Sequence, residues 1–375
     1  MSRYGTGDRQ KLTGPQDIFQ QDGKSLLVGI AGFVAAVLLI EFAASRAIDF
    51  AEIPKAADSE SDHGRSATIP SEIPPRGWKD IVWRIYENIG KHRVVALGAG
   101  VTFYGLLAIF PALAALVAIY GLFADGAEIG KQLDQLSSFV PSGALDVARD
   151  QLTRVASSGN QTLSLTFFFG LATSLWSANA GIKSLFDTMN IVYGEEEKRS
   201  FFRLNAISLT FTAGALLFAL AAIGAVLILP VALNYLELPD ATDLLFRVVR
   251  WPALLVAVTF GLACLYRFGP SRDAARWSWV MWGSIGAALL WLAGSALFSW
   301  YAANFGSFNK TYGSLGGAVG LMTWIWISTI IVLLGAELNA EMEHQTARDT
   351  TGGPSKPLGA RGAHMADTVG TARSS

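Results

Sequence analysis

The chain has 375 residues, of which 51% are apolar and only 16% charged, and its formal net charge is −1. A soluble chain of this size needs more charge on its surface, so composition points to a multi-pass membrane protein and away from a soluble globular domain. The near-neutral balance excludes a phosphate-tracking nucleic-acid partner, and a lone Cys264 excludes an intrachain disulfide or a cysteine metal cluster. His63, His92, His344 and His364 are too scattered to make a zinc pair, and no cofactor or metal is expected.

Seven apolar runs predict an all-α, multi-pass integral membrane helical bundle, at about 25–48, 94–123, 162–182, 205–236, 251–268, 278–301 and 316–338. A tail, 1–24, precedes the first run, whose rival reading is a signal peptide with an apolar stretch at 26–40. Segment 49–77, rich in Ser, Asp, Glu and Pro without apolar period, reads as a disordered linker. An interfacial amphipathic helix follows at 78–92, with Trp78, Ile81, Val82, Ile85 and Ile89 on one face and Lys79, Arg84, Glu87 and Lys91 on the other. Residues 93–341 form the membrane domain. Its first run carries Pro111 and, at 30 residues, would span about 45 Å against an apolar core of about 30 Å, so a kink or strong tilt is expected. The loop 124–161 holds two short amphipathic stretches split by Pro141, suited to capping the bundle. The tail 342–375 has no apolar period and is expected to be disordered.

Positive charge assigns the orientation, because Lys- and Arg-rich loops stay cytoplasmic. The segments 49–93, 192–204, 267–277 and the tail after 341 together hold seventeen Lys and Arg, against six in 124–161, 237–250 and 302–314. The C-terminus is therefore expected in the cytoplasm and the N-terminus in the periplasm.

Five stretches carry a resemblance: GAGVTFYGLLAIFPA at 98–112, LWSANAGIKSLFD at 175–187, YRFGP at 266–270, NFGSFNKTYGSLG at 304–316 and GAELNAE at 335–341. In this order over about 78–343, they make the chain similar to the YihY/BrkB membrane-protein family, once labelled ribonuclease BN. The resemblance implies a bacterial inner-membrane protein with a six-helix core and a poorly defined activity. The run 25–48 would then be one extra N-terminal membrane helix.

Within that frame, Asn179, Lys183, Asp187 and Asn190 fall on one helical face, where Lys183 and Asp187 are spaced to pair. The stripe either lines a polar pathway or is a solvated extension of its helix. Glu337 is a carboxylate inside the last span, with Asn339 nearby and Glu341 one turn on. It needs a partner, and Arg267 or Lys183 at the same membrane face could supply one, as part of a pathway or as a lock between helices. In the outer loop, Asn309, Lys310 and Tyr312 are candidates for contact with an anionic headgroup or phosphate, the alternative being an ordered turn. Gly313 with Gly317, and Gly316 with Gly320, are spaced for close helix packing.

The leading functional expectation is transport or handling of an amphiphilic or anionic envelope component, with membrane lipid as partner and a lipid or amphiphile as cargo. The alternative is a non-transporting envelope scaffold. An enzyme, including a ribonuclease, has less support, because no nucleophile elbow, His-Glu-x-x-His pair or phosphate-binding loop is present.

Overall fold

The computed structural model describes residues 63–120, 165–225, 240–305 and 316–372. The run 25–48, the stretches in 124–161 and the loop residues Asn309, Lys310 and Tyr312 lie outside them. The described elements are helical: α1 (Pro75–Lys91), α2 (Val94–Tyr120), α3 (Leu165–Val192), α4 (Phe201–Ile223), α5 (Asp240–Phe268), α6 (Trp277–Phe305), α7 (Gly316–Gln345) and the short α8 (His364–Asp367). A 3₁₀ turn, Pro70–Glu72, precedes α1, and a single antiparallel bridge joins Ala275 to Thr351.

Among the described residues, five helices contain stretches long and apolar enough to cross a membrane: Val94–Leu116, Phe201–Ile223, Val249–Phe268, Trp277–Ala302 and Gly316–Gln345. α3 is 28 residues long but falls below that apolarity, since its C-terminal half holds the polar stripe. Pro111 lies inside α2, which continues through it to Tyr120.

Two compact units divide the described chain. One contains 222–225 and the first part of α5, to residue 257, where Pro252 is accommodated within the helix and Arg250 lies 5.2 Å from the Trp251 ring. The other contains 63–221 and everything described from 258 onward.

In this larger unit an apolar core is buried, but large apolar side chains also face outward along the helices and polar groups also lie inside. Phe103, Phe202, Phe260, Leu297 and Trp300 point outward, Phe202 being 83% exposed, whereas Asn179, Asn205, Ser208, Thr212, Ser284 and Asn339 are buried. Large apolar side chains on the outside are stable only in an apolar surround, and buried polar groups need partners within the bundle. Thr212 accordingly donates to Asn179 Oδ1 at 3.1 Å, tying α4 to α3.

Where helices cross closely, glycine sets the distance. A Cβ on Gly335 of α7 would meet Ala287 Cβ of α6 at 2.7 Å and the Tyr266 hydroxyl of α5 closer still. On α3, a Cβ at Gly181 would meet Gly105 Cα of α2 at 3.5 Å. Of the glycines whose spacing suggested close packing, Gly317 and Gly320 have open space where a Cβ would sit, with nothing within 4 Å among the described residues, and Gly313 lies outside them. Spacing marks glycines that can approach a neighbour, but only the fold decides which ones do.

The segments expected to be disordered also differ. From residue 63 the linker is packed, with Ala67 and Ile73 buried beside Ile81, Trp279 and Met342. The tail is held by its own polar groups. Arg361, buried, donates to the carbonyls of Ala347 (2.8 Å), Arg348 (3.0 Å) and Ala366 (2.5 Å). Arg276 N donates to Thr350 O at 2.8 Å, and Gly352 N to Ala274 O at 2.9 Å, which lays the tail along the α5–α6 connection. Hydrogen bonding of backbone carbonyls by one buried guanidinium leaves no trace in apolar periodicity, and so the pattern read as disorder.

Candidate functional site

The C-terminal turns of α7 carry GAELNAE, and all its polar members are buried. Glu337 is fully buried, and its Oε1 lies 2.6 Å from His92 Nδ1, at the end of α1. Its Oε2 is buried with no hydrogen-bond partner among the described residues. One turn on, Glu341 accepts from Asn88 Nδ2 at 2.8 Å and from the Arg84 guanidinium, which also donates to Gln345 Oε1 at 2.6 Å. Asn339 accepts from Gly283 N at 2.9 Å and donates to Val280 O at 3.1 Å, pinning α7 to α6. Glu343 takes two hydrogen bonds from Arg272, at 2.7 and 2.8 Å, and a third from Thr350 at 3.0 Å. The fork geometry and complete burial of this pair, with Tyr193 under the guanidinium at 4.2 Å, offset the desolvation of both charges.

Two expectations are therefore corrected. The partner of Glu337 is His92, not Arg267 or Lys183. Arg267 instead donates to Ala275 O and stacks 4.8 Å from the Trp277 ring, and Lys183 lies 5.0 Å over Trp176 with no ion pair to Asp187 among the described residues. Arg84, assigned to the solvated face of its helix, points inward, and Val82 and Tyr86 are exposed at 61% and 70%. At a membrane surface an amphipathic helix turns its aromatic side to the headgroups, and an arginine with a buried carboxylate to meet is drawn inward. The hydrogen bond to Glu337 holds His92 protonated to higher pH than an ordinary histidine, although burial works against it.

The polar stripe of α3 splits. Asn179 is bonded to Thr212, with its Nδ2 buried and unpartnered among the described residues. Asn190 is a strut at the helix end: its Oδ1 accepts from Ser271 N at 2.7 Å and its Nδ2 donates to Glu197 at 3.2 Å. Burial pushes the Asp187 carboxyl up, and the nearby Glu197 adds to it. Burial also acts to raise Glu197, but hydrogen bonds from Arg199 outweigh it and hold that carboxyl at about 2.

The same struts frame a groove of about 690 Å³ between the start of α4, the end of α5 and the α5–α6 connection. Lys198, Arg199, Arg203, Arg267 and Arg272 line it, against one carboxylate, Asp273, which is engaged by Lys356 at 2.7 Å. Ile207, Phe211 and Phe268 supply an apolar wall. Four of the cations already have work in the fold: Lys198 pairs with Glu195 at 2.7 Å, Arg199 with Glu197 at 2.7 Å, Arg272 with Glu343, and Arg267 bonds Ala275 O. Arg203 is exposed and enters no ion pair among the described residues. Only Arg267 of this set was marked by its motif. The others were visible as loop charge, but nothing in their spacing showed that two connections distant in sequence bring them together.

Among the described residues, no group of three His, Cys, Asp or Glu side chains could hold a metal ion. Comparison with known proteins matches residues 85–358 to the family described as virulence factor BrkB. The chain belongs to that BrkB family. The match runs past α7 into the packed tail, so the strand-like contact of Thr351 with Ala275 falls within the family region. BrkB relatives include the ribonuclease-like protein YfkH of Bacillus subtilis (strain 168), 28% identical over 68% of this chain and 92% of its own length. A UPF0761 membrane protein of Vibrio atlanticus (strain LGP32) is 28% identical over 68% of this chain and 80% of its own. A third, the UPF0761 membrane protein PSHAa0171 of Pseudoalteromonas translucida (strain TAC 125), is 24% identical over 73% of this chain and 88% of its own. No solved structure matches.

Proposed function

We propose that this BrkB-family protein holds or moves an anionic amphiphile of the bacterial envelope, at the cytoplasmic end of a six-helix core in the inner membrane. The observation that carries the reading is the groove: five cations and one already-paired carboxylate around an apolar wall, beside the outward-facing Phe201 and Phe202 of α4. A charged head with an apolar body fits such a border, because each part meets its own kind of surface. The excess of Lys and Arg at this end supports a cytoplasmic location for it. Under this reading the Glu337–His92, Glu341–Arg84 and Glu343–Arg272 contacts are locks that hold the groove's walls, and Asn309, Lys310 and Tyr312 remain proposed contacts at the opposite face.

Native mass spectrometry of the full chain released from its own membrane into mild detergent tests the proposal. A retained amphiphile of one class is the expected result. Bare protein, or adducts that mirror the bulk lipid composition, would overturn it and favour an envelope scaffold that recruits partners through the exposed aromatic face of α1.

A further inference from the structure

We infer that the groove is a phosphate-ester site, in which Arg203 and Arg267 meet the phosphate oxygens at the N-terminus of α4. The inference rests on the amphiphile reading for the identity of the ligand's tail, but not for the chemistry of its head.

Phosphate recognition needs several N–H donors converging on one point, held where water does not fully compensate their charge. Three independent features supply this. First, Arg203 is the one groove cation with neither an ion pair nor a side-chain hydrogen bond among the described residues, and it stands in the first turn of a 23-residue helix. That turn leaves backbone N–H groups unpaired and carries the positive end of the helix dipole. Second, Arg267 and Arg272 each keep a buried Nε with no hydrogen-bond partner among the described residues, and both line the groove. A buried unpartnered donor is costly, and an incoming oxygen acceptor removes that cost. Third, the carboxylates that would repel an anion are withdrawn: Glu195, Glu197 and Glu343 do not line the groove and each is held by a cation, and Asp273 is neutralised by Lys356. The remaining positive charge faces the cavity.

Geometry also divides the labour. Arg199 and Arg272 are positioning residues, since their guanidinium forks are taken by Glu197 and Glu343 and by the Phe268 and Gly269 carbonyls. Arg203 is the free arm, whereas Lys198, although 61% exposed, is paired with Glu195. Ile207 and Phe211 follow Arg203 by one and two turns of the same helix, so a chain attached to the bound phosphate would leave along α4 toward the apolar exterior.

The test uses the intact protein in detergent with three probes: phosphatidylglycerol, phosphatidylcholine and inorganic phosphate. Wild type is expected to retain phosphatidylglycerol over phosphatidylcholine, and Arg203→Gln to lower that retention about tenfold or more, the loss expected for one charge-assisted hydrogen bond. Lys91→Gln removes an exposed cation paired with Glu87 on α1 and should change nothing. Because Arg203 holds no described ion pair, its replacement leaves the bundle folded, and a matching unfolding temperature verifies this. If Arg203→Gln and Arg267→Gln retain phosphatidylglycerol as wild type does, the phosphate site is wrong although an amphiphile is still bound. If inorganic phosphate binds with the same dependence on Arg203 and neither lipid is retained, the phosphate site stands and the amphiphile reading falls.

Discussion

At the scale of single residues, the end of α7 places three carboxylates, Glu337, Glu341 and Glu343, where each is at most 1% exposed, and gives each a different cation. Arginine holds two of them permanently. Histidine holds the third, and it is the only one of these cations whose charge changes near neutral pH. The hydrogen bond that His92 donates to Glu337 raises the folded-state affinity of His92 for its proton, helped by the charges of Glu337 and Glu341 and opposed by burial and by Lys91. A group whose folded value lies above its unfolded one stabilises fully below the unfolded value and loses that contribution as pH rises through the folded one. Thermal stability in detergent should therefore hold up to about pH 6.5 and decline above it. His92→Gln should flatten the decline. A wild-type unfolding temperature that stays level or rises through this range would show that the Glu337–His92 contact does not lock α7 to the end of α1.

At the scale of elements, the crossing of α6 and α7 is set by Gly283 and Gly335, each of which has the opposing backbone where a side chain would sit. Gly335→Ala forces the methyl group onto Ala287 and Tyr266 and should destabilise the bundle by about 1–3 kcal/mol, the usual cost of overpacking. Gly320→Ala, on the same helix with open space around it, should be neutral or stabilise by up to about 1 kcal/mol, since alanine favours the helix. Equal effects in a denaturant or thermal melt would contradict this reading of the interface. The helices themselves were legible because a 20-residue apolar run has few other fates, and the motif GAELNAE drew attention to Glu337 for the same reason: a carboxylate in an apolar segment needs an explanation. Which cation answered it was not legible. His92 is separated from Glu337 by 245 residues, and no local pattern encodes that distance. Arg84 was misplaced because a helical wheel sorts charge outward for a helix in water, whereas α1 has a buried acid on one side and an aromatic face on the other. The unmarked cations of the groove are illegible in the sequence for a related reason, since loop charge carries information on orientation but none on which loops meet.

At the scale of the whole molecule, the outward apolar surface implies a lipid surround, and the tail shows how the polar end is closed. In the larger unit, residues 346–372 do not hang from α7. His364 N donates to Glu195 at 2.7 Å, Asp273 N to Gly362 O at 3.0 Å, and Arg65, ahead of α1, reaches Gln345 O at 3.0 Å and Gly370 O at 2.5 Å. The tail thus ties α1 to the α3–α4 and α5–α6 connections, the ones that frame the groove. Burial of Arg361 makes this testable without a ligand, because trypsin must draw an extended segment into its active site to cut after arginine. In detergent-solubilised protein at low trypsin, the bond after Arg361 should survive well beyond the time needed to cut the same site in a denatured control. Arg361→Ala removes the donors to Ala347, Arg348 and Ala366 and should expose the bond after Arg348 to rapid cleavage. If the native tail is cut after Arg361 as fast as in the denatured chain, the tail does not close the polar end, and the groove would have to be framed by the helices and their connections alone.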